Sequence, residues 1–502
     1  MFGFPVNLQD SGVQKFTNDA DSGFPKIQQR EIFYSVANGE WRDPTIWQTA
    51  SGRVGLFPGA NDDVYIKTIV QIGNTPYVGD YFCNNLYVSG TFNFFNRRLH
   101  IYGNFKNVGI VNSGLATNFF SSFRLYGVEN ILGTINQNNW TSFEYARNGV
   151  QNVVPFNYVR LVIDGIGTKY LTSNTIVTEN LRLNQPENIP YINGVVQLNG
   201  NNIPGLECAG YELDVYGTTN VGGYTILKQS GSGKLTFRGQ LQIGLGNQYT
   251  GGMLLYGNPN VECQNGLFVS FDINNGYGLN GGFYTGTGTW RFTTNNQFVS
   301  TNVSSSVVLT FDAPILIAPG ITLSHHNSYN SNGTMMYLNN TINGESSTSK
   351  LENRGNIIFA TSASVASMTT GIVDFTTYTT NTITYTGNYT ATIPSYFPTF
   401  HNLTISGTGT KSLGVNTTLN GNLVSSGNLD CATYNIVVNG TSNLQNAPTG
   451  LYPLQKSGAG SITFIGKLIG YASNMLDFSG GNPTIELRNG MDVTNKIGRA
   501  HV

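Results

Sequence analysis

Apolar and polar residues alternate along most of this chain in runs of only four or five positions, and Gly, Asn or Asp ends most of the runs. Typical runs are residues 63–67 (DVYIK), 85–88 (NLYV), 91–95 (TFNFF) and 99–102 (LHIY). An alternation with a period of two predicts β-strands that turn one set of side chains inward and the other outward. Strands this short and this closely spaced are typical of the turns of a solenoid.

The strongest signal in the sequence is an internal repeat. Residues 161–181 (LVIDGIGTKYLTSNTIVTENL) and 403–423 (LTISGTGTKSLGVNTTLNGNL) share Gly, Asn, Thr and alternating apolar positions. Further downstream, residues 227–241 (LKQSGSGKLTFRGQL) match residues 454–468 (LQKSGAGSITFIGKL). A long unit has therefore been copied within the chain, and what the copies share is typical of strands and corners.

The shared residues predict the fold. Gly and Asn adopt the left-handed backbone conformation at little cost, so they let a strand turn a corner. Between corners, Val, Ile, Leu and Phe on alternate positions point into a narrow core. The chain is therefore predicted to be all-β, an elongated right-handed parallel β-helix with coils of ~20–25 residues and an irregular N-terminal arm over residues 1–31. An array of antiparallel sandwiches is the main alternative.

Composition narrows the possible functions. Of 502 residues, 11% are charged, 39% are apolar and 12% are aromatic, which is enough apolar material for a long core. The net charge is −1 and no basic cluster exceeds Arg97 and Arg98, so the chain lacks the basic surface of a nucleic-acid binder. The four cysteines form no CxxC pair and are predicted to be buried free thiols. No apolar run is long enough to span a membrane, and the N-terminus lacks a signal-peptide pattern.

Two regions resemble known families. Residues 38–67, in which a G-x-W-x-D-P-x-x-W segment leads through a Pro-Gly turn into DVYIK, resemble the start of G8-like β-helix domains. The segments ISGTGTKSL and NGNL are similar to repeats in large surface proteins of Bacteroidota and in tail proteins of the phages that infect them. The resemblance implies a β-helix placed in a phage tail or on a cell surface. For tail proteins it also implies a homotrimer.

These signals divide the chain into six segments. They are an arm that attaches the chain to a larger assembly (1–31), a G8-like cap with the first rungs (32–110), a β-helix with the first repeat copy (111–290), a divergent middle (291–375), a β-helix with the second copy (376–495) and a tail (496–502). The tail, KIGRAHV, can be encoded by a common sequencing-library adapter. We therefore expect it to be an artefact and the natural chain to be longer.

Only a few of the acidic residues are candidates for a catalytic role. Cleavage of a glycan needs two carboxylates ~5–10 Å apart. Glu212 and Asp214, two apart in YELDVYG, are the best candidate catalytic pair because they share one strand face. The other acids, Glu144 and Asp164 among them, are scattered along the chain. Asp164 is replaced by Ser406 in the second copy, so the acids are not part of what was copied.

Aromatic residues offer two further candidate sites. Tyr277, Tyr284 and Trp290 lie in a Gly-rich stretch (NNGYGLNGGFYTGTGTW), where a loop can present them to a sugar ligand. Trp41 and Trp47 are predicted to form a structural cap over the open end of the solenoid, with sugar stacking as the alternative. Ordinary packing between rungs is the competing role for each of these side chains.

The remaining polar signals favour structural roles. His325 and His326 are adjacent, and neighbours on a strand face opposite ways, so they are poorly placed to chelate one metal ion. Lys169 and Lys411 recur at equivalent places in the repeat, where a role in a turn fits best. No metal site and no cofactor is predicted.

The sequence favours a structural or adhesive virion protein, a phage tail fibre or tailspike-like component. Its expected partners are a host-surface polysaccharide or glycan and other tail proteins. A bacterial cell-surface adhesin, located outside the cell, is the first alternative. A polysaccharide-degrading enzyme on the same fold, either a glycoside hydrolase or a polysaccharide lyase, is the second.

Overall fold

The strands of the chain form a parallel β-solenoid. A computed structural model describes residues 16–18, 25–27, 30–73, 79–113, 121–184, 191–192, 195–196, 204–222, 225–245, 252–269, 283–294, 297–301, 308–327, 335–448, 450–471 and 475–493. The chain divides into two compact units, Met1–Lys228 and Gln229–Val502. Strands account for 47% of the structure and helices for 2%, in about 16 solenoid turns. The predicted parallel β-helix is confirmed, and the alternative of antiparallel sandwiches is wrong.

The described part of the first unit contains short strands and one 3-10 helix, Pro44–Ile46. The strands are β1 (Phe16–Asn18), β2 (Pro25–Ile27), β3 (Ile32–Ser35), β4 (Gly39–Glu40), β5 (Trp47–Thr49), β6 (Asp63–Ile66), β7 (Ile69–Ile72), β8 (Tyr81–Cys83), β9 (Leu86–Val88), β10 (Thr91–Phe94), β11 (Arg98–Ile101), β12 (Phe105–Asn107), β13 (Ile110–Ser113), β14 (Ser121–Leu125), β15 (Thr134–Asn136), β16 (Thr141–Tyr145), β17 (Gln151–Val153), β18 (Asn157–Tyr158), β19 (Arg160–Ile163), β20 (Thr168–Leu171), β21 (Thr175–Val177), β22 (Leu181–Leu183), β23 (Tyr191–Ile192), β24 (Val195–Val196), β25 (Gly205–Glu207), β26 (Leu213–Val215), β27 (Thr219–Gly222) and β28 (Ile226–Lys228).

The described part of the second unit is built in the same way, with one short α-helix, α1 (Ser362–Val365). Its strands are β29 (Leu235–Phe237), β30 (Leu241–Leu245), β31 (Gly252–Leu254), β32 (Val261–Cys263), β33 (Leu267–Val269), β34 (Phe283–Tyr284), β35 (Trp290–Phe292), β36 (Gln297–Thr301), β37 (Val308–Phe311), β38 (Ile315–Ile317), β39 (Thr322–Asn327), β40 (Met335–Leu338), β41 (Ile342–Gly344), β42 (Lys350–Asn353), β43 (Asn356–Phe359), β44 (Ile372–Asp374), β45 (Thr382–Tyr385), β46 (Ala391–Ile393), β47 (Thr399–Phe400), β48 (Asn402–Ile405), β49 (Thr410–Leu413), β50 (Thr417–Leu419), β51 (Leu423–Ser425), β52 (Asn428–Asp430), β53 (Ile436–Val438), β54 (Ser442–Leu444), β55 (Leu454–Gln455), β56 (Ser461–Phe464), β57 (Leu468–Gly470), β58 (Leu476–Asp477), β59 (Thr484–Leu487) and β60 (Met491–Val493).

Successive turns stack into parallel sheets, because each strand pairs with the equivalent strand of the next turn. In the first unit the longest run of paired strands is β8–β11–β14–β16–β19–β22–β27. In the second unit it is β37–β40–β43–β45–β48–β51–β54–β57–β60, flanked by β46–β49–β52–β55–β58 and β47–β50–β53–β56–β59. Antiparallel pairing is confined, among the described strands, to β1 with β2, β3 with β5 and β23 with β24.

The most similar segments of the two copies, residues 161–181 and 403–423, each correspond to one full turn. In the second unit, β48, β49 and β50 form three sides of a turn, and Leu403 pairs with Leu423 on the first strand of the next turn. In the first unit, β19, β20 and β21 form the equivalent turn, and Leu161 pairs with Leu181. A turn therefore takes 20 residues at both places, which agrees with the predicted coil length.

The core consists of the inward residue of each strand, stacked on its equivalent in the next turn. The strand β19 has alternating half-buried and buried residues, with Leu161 and Ile163 turned inward. Aromatic side chains stack in the same way, and the rings of Phe123 and Phe143 lie 5.1 Å apart. Because every inward position lies on another, apolar side chains form continuous columns that are removed from water.

Asn and Gly residues hold the corners between strands. Asn402 Oδ1 accepts the backbone N–H of Asn422 at 2.9 Å, and Asn422 Oδ1 accepts that of Thr441 at 2.8 Å in the following turn. These side chains satisfy backbone donors that face away from a regular ladder. The corners also stack too closely for a side chain, since a Cβ on Gly440 would lie 2.5 Å from the carbonyl oxygen of Gly421.

Trp41 and Trp47 lie in the first layer of the solenoid. Both are buried, and their rings meet edge to face with centroids 5.5 Å apart. The Trp47 indole N–H donates to the Trp41 carbonyl oxygen at 2.7 Å. Strand β5, which begins at Trp47, ends its sheet by pairing antiparallel with β3. Both rings are thus packed within this layer, and neither is open for stacking on a sugar. The capping role stays a prediction.

In the last described turn, apolar residues at inward positions are exposed. Ile485 and Leu487 of β59 pair in register with Ile462 and Phe464, which belong to the core. Ile485 is nevertheless 40% exposed and Leu487 is 44% exposed. Met491 of β60 is 39% exposed. Within the described residues, no further turn covers these inward positions.

Other sequence-based predictions concern single residues and the arm. The cysteines at positions 83, 208, 263 and 431 are buried and unpaired, as predicted. The arm lies largely outside the described residues, and within it β1 pairs with β2. In the part of the chain that the structure describes, no helix is long and apolar enough to cross a membrane.

The stacked corners predict a strong effect of one added methyl group. In Gly109→Ala, the new Cβ would lie 2.2 Å from the carbonyl oxygen of Gly90 in the previous turn. We expect the free energy of unfolding to fall by about 1–3 kcal/mol, the usual range for overpacking. Gly59→Ala is the control, because its Cβ meets only Asp62 Oδ2, at 3.5 Å. Urea denaturation of both variants measures the difference, and equal stability of the two would contradict close stacking at this corner.

Candidate functional site

A cleft lined by charged residues lies on the outer face of the first unit. It has a volume of about 270 Å³. We call it the charged cleft, and it is lined by Arg98, Arg124, Ser142, Glu144, Arg160, Val162, Asp164, Asn180, Arg182 and Asn184. Four arginines against two carboxylates give the lining a formal charge of +2.

The register of the parallel sheet brings these residues together. Arg124 of β14 pairs with Glu144 of β16, which pairs with Val162 of β19, and Val162 pairs with Arg182 of β22. A second outer column contains Ser142, which pairs with Arg160. Because side chains alternate along each strand, residues at the same register position point to the same side of the sheet. Charges that are about twenty residues apart in sequence thus become neighbours.

Arg124 joins the two carboxylates of the cleft. Its Nη2 lies 2.6 Å from Asp164 Oδ2, and its Nε lies 3.6 Å from Glu144 Oε2. Arg98 Nε lies 3.7 Å from Glu144 Oε1, and the hydroxyl of Ser122 donates to the same oxygen. Both acids are only 6% exposed, and buried carboxylates need such partners. The acids are therefore engaged within the protein.

Arg160 and Arg182 lie on the adjacent strands β19 and β22 of the cleft. The guanidinium of Arg160 lies over the Trp140 ring, 4.3 Å from its centroid. Arg160 Nε is buried and has no hydrogen-bond partner among the described residues. Arg182 is exposed. Within the described part of the chain, neither arginine forms an ion pair with an acid, in contrast to Arg98 and Arg124.

An aromatic strip continues the cleft across the same sheet. It consists of Phe82, His100, Tyr102 and Tyr126. The rings of Phe82 and His100 stack at 4.9 Å and those of Tyr102 and Tyr126 at 5.0 Å. His100 pairs in register with Arg124, whose guanidinium lies 5.7 Å from the Tyr126 ring. The strip therefore leads directly into the charged cleft.

Three groups of the strip have shifted pKa values, and burial raises the pKa of Tyr102, which is one of them. Burial lowers the pKa of His100, although its Nε2 lies 3.0 Å from Asp80 Oδ2, which acts in the opposite direction. Burial raises the pKa of Tyr126 to about 12. At neutral pH the rings of His100 and Tyr126 are therefore uncharged. Tyr102 stacks on Tyr126 and lies parallel to Phe82, 6.4 Å away, and it is 41% exposed, so part of its ring is open to solvent.

The second copy of the repeat has the same strands without these charges. Sequence alignment and strand register place Thr384 at the position of Glu144, and Ser406 at that of Asp164. Three of the four arginine positions correspond as follows: Arg124 to Ile358, which precedes the second copy, Arg160 to Asn402 and Arg182 to Val424. Since the turn forms equally well with uncharged residues, the fold itself does not require the charges.

Lys169 and Lys411, the lysines that the repeat shares, are buried in corners. Lys169 Nζ donates to the carbonyl oxygens of Arg147 at 2.8 Å and Gly167 at 3.0 Å, which lie in adjacent turns. Lys411 Nζ donates to Tyr389 at 2.6 Å and, in its own corner, to Gly409 at 2.9 Å. Burial lowers the pKa of Lys169 to about 7 and that of Lys411 to about 8. These contacts are the turn-related role predicted for both lysines.

The acidic candidates Glu212 and Asp214 lie apart from the charged cleft. Glu212 is exposed and precedes β26, and Asp214 is half-buried within that strand. They flank the buried Leu213 and so both project away from the core, as the alternation predicts. The sheet places them on a different side of the turn from Glu144 and Asp164.

The aromatic candidates in the Gly-rich stretch are only partly described. Tyr277 and the side chain of Tyr284 lie outside the described residues. Trp290 is fully buried, and its indole N–H donates to the Thr285 carbonyl oxygen at 3.3 Å. Trp290 also packs edge to face on Phe311, 5.6 Å away. It therefore has the competing role, packing between rungs, and is not presented to a ligand.

Histidines and acids do not converge into a metal centre in the described ranges. No group of three or more His, Cys, Asp or Glu residues is placed there to hold a metal ion. His325 is buried, with Nδ1 3.1 Å from Asn353 Oδ1. The side chain of His326 lies outside the described residues.

The fold and this face define a class of protein, a parallel β-solenoid with a charged cleft and an aromatic strip on one sheet. Comparisons with protein-family models, with curated proteins and with solved structures find no match to the chain. The resemblance to G8-like domains and to Bacteroidota and phage repeats therefore stays a prediction.

The buried lysines generate a prediction about stability. Replacing Lys411 by Met leaves the corner carbonyls without their donor, which usually costs about 1–3 kcal/mol. The folded protein loses the Lys411 proton near pH 8 and the unfolded chain near pH 10.5. Between these values the unfolded chain binds more protons, so Lys411 adds stability as the pH rises. The deficit of Lys411→Met should therefore grow over this interval.

Urea denaturation at several pH values across that interval measures the deficit. Lys106→Met is the matched control, because Lys106 is exposed, and it should differ from the parent protein by less than about 0.5 kcal/mol. A deficit for Lys411→Met that shrinks with rising pH would show that the buried amine keeps its proton.

Proposed function

We propose that this chain is a structural, adhesive β-solenoid that contacts a surface glycan through the aromatic strip and the charged cleft. The observation that carries the proposal is the continuity of these two features on one sheet of the first unit. Sugars are bound by stacking on aromatic faces and by hydrogen bonds to amide, hydroxyl and guanidinium groups, all of which occur there. The cavity of about 270 Å³ is small for a drug-sized ligand, which suits one or two sugar units of a longer chain.

The comparison between the repeat copies supports a binding role. The same strands form in the second copy with Thr384 and Val424 where the first copy has Glu144 and Arg182. Residues that the scaffold does not need, gathered on one outer face, favour a role in recognition. The virion setting and the cell-surface alternative expected from the sequence both accommodate such a surface and stay predictions.

An enzyme is the weaker candidate at this site. Glu144 and Asp164 are the two acids of the cleft, and both contact Arg124. Each is only 6% exposed, so neither is free to meet a substrate. A general acid must reach the oxygen of the scissile bond. Carboxylates held in this way are better suited to positioning Arg124 than to proton transfer.

Glycan binding is tested on an array of bacterial surface polysaccharides with the full chain. We expect retention of a subset of glycans. Tyr102→Ala should weaken it about tenfold, equivalent to ~1.4 kcal/mol, because the most exposed described ring of the strip is lost. Tyr216→Ala is the control, since Tyr216 is 48% exposed and lies on a different sheet. Retention with equal affinity by both variants would contradict a role for the aromatic strip.

The same array distinguishes binding from cleavage. If the protein only binds, the retained polysaccharides stay intact after prolonged incubation. New reducing ends or unsaturated sugar products would instead establish a polysaccharide-degrading enzyme, and Glu144→Gln together with Glu212→Gln would then show which acids are responsible.

A further inference from the structure

We propose that the charged cleft selects sugar units that carry an anionic group, a carboxylate or a sulfate ester, and that Arg160 and Arg182 bind that group. This inference rests on the proposed glycan contact and adds the chemical class of the ligand. It follows from a difference between the arginines of the cleft: two of them form ion pairs with acids of the protein, and the other two form none among the described residues.

Arg124 and Arg98 are occupied by acids of the protein. Arg124 contacts Asp164 at 2.6 Å, and both arginines contact Glu144. The charges of the two carboxylates are thereby compensated by these two arginines. The formal charge of +2 of the lining is therefore left to Arg160 and Arg182, which lie on the adjacent strands β19 and β22.

Arg160 has a buried donor that lacks an acceptor. Its Nε has no hydrogen-bond partner among the described residues, and native proteins leave few buried polar groups unpaired. The contact with Trp140, 4.3 Å from the guanidinium carbon to the ring centroid, holds the guanidinium beside the ring. A guanidinium held in this way, with no ion pair among the described residues, has the N–H donors that match the two oxygens of a carboxylate or the oxygens of a sulfate.

Asn180 and Asn184 flank this pair of arginines. Asn180 Oδ1 accepts the backbone N–H of Thr218 at 2.9 Å, so its NH2 group is the donor that can face a ligand. Arginine and amide donors together suit sugar hydroxyl oxygens beside an acid group. Nucleic acid is disfavoured as the anion, because two arginines on a chain with a net charge of −1 provide few phosphate contacts.

Affinity gel electrophoresis of the full chain tests the inference with three named polymers: alginate carries carboxylates, dextran sulfate carries sulfate esters and dextran is neutral. We expect alginate or dextran sulfate to retard the protein more than dextran does. Arg160→Gln and Arg182→Gln should each weaken that retardation about tenfold. Both substitutions should also reduce its dependence on salt, since each removes one ionic contact.

Arg488→Gln is the matched control, because Arg488 is exposed in the second unit and should leave the retardation unchanged. Thermal unfolding of each variant checks that the fold is intact. Equal retardation by dextran and by the acidic polymers, unchanged in Arg160→Gln, would overturn anion selectivity while leaving glycan binding intact. If no glycan on the array retains the protein and none of the three polymers retards it in the gel, the proposed function itself is contradicted.

Discussion

The structure depends on one constraint, that each turn of the chain must lie in register on the turn before it. Parallel strands then satisfy one another's backbone groups, and every inward side chain meets its own equivalent. The constraint reaches the corners as well. Asn422 can accept the N–H of Thr441 only if consecutive corners coincide, and Lys411 can join carbonyls of two turns only for the same reason.

The same constraint produces the candidate site. Because the register is fixed, charged residues at equivalent outer positions of successive turns lie in one column of the sheet. Arg124, Glu144 and Arg182 align in this way, and no loop is needed to position them. The inner column continues undisturbed behind them, with Phe123 stacked on Phe143. Outer positions can therefore vary freely while the core is kept, and the uncharged second copy of the repeat is the result of that freedom.

Most of the fold is predictable from the sequence because its signals are local. Alternation over four residues, Gly and Asn at corners, and the repeat of residues 161–181 in 403–423 identify strands, turns and the length of a turn. The site is harder to predict, since it depends on which residues share a column. Glu212 and Asp214 are visible as a pair because they are two residues apart. Glu144 and Asp164 become neighbours only through the register of separate strands and through Arg124.

A sequence signal for the cleft does exist. Segments such as FRL, FEY and LRL, at residues 123–125, 143–145 and 181–183, each place one charge between two apolar residues. Such a triplet indicates a strand in which the charged residue points outward and the apolar residue on each side of it points into the core. To recognise that several triplets lie on the same sheet, the number of residues in each turn must be known. This number differs between turns, because residues are inserted at the corners. Trp290 shows the opposite error, since a Gly-rich surrounding suggests an exposed loop while the ring is in the core.

The apolar column of the second unit continues to the last layer that the structure describes. Ile485 and Leu487 of β59 lie in register on Ile462 and Phe464, which are buried. Because side chains alternate along a strand, one residue inserted within β56 would turn this part of the column outward. An insertion in a corner leaves the strands in phase, so the corners are the positions at which a chain of this kind can lengthen or shorten and still fold.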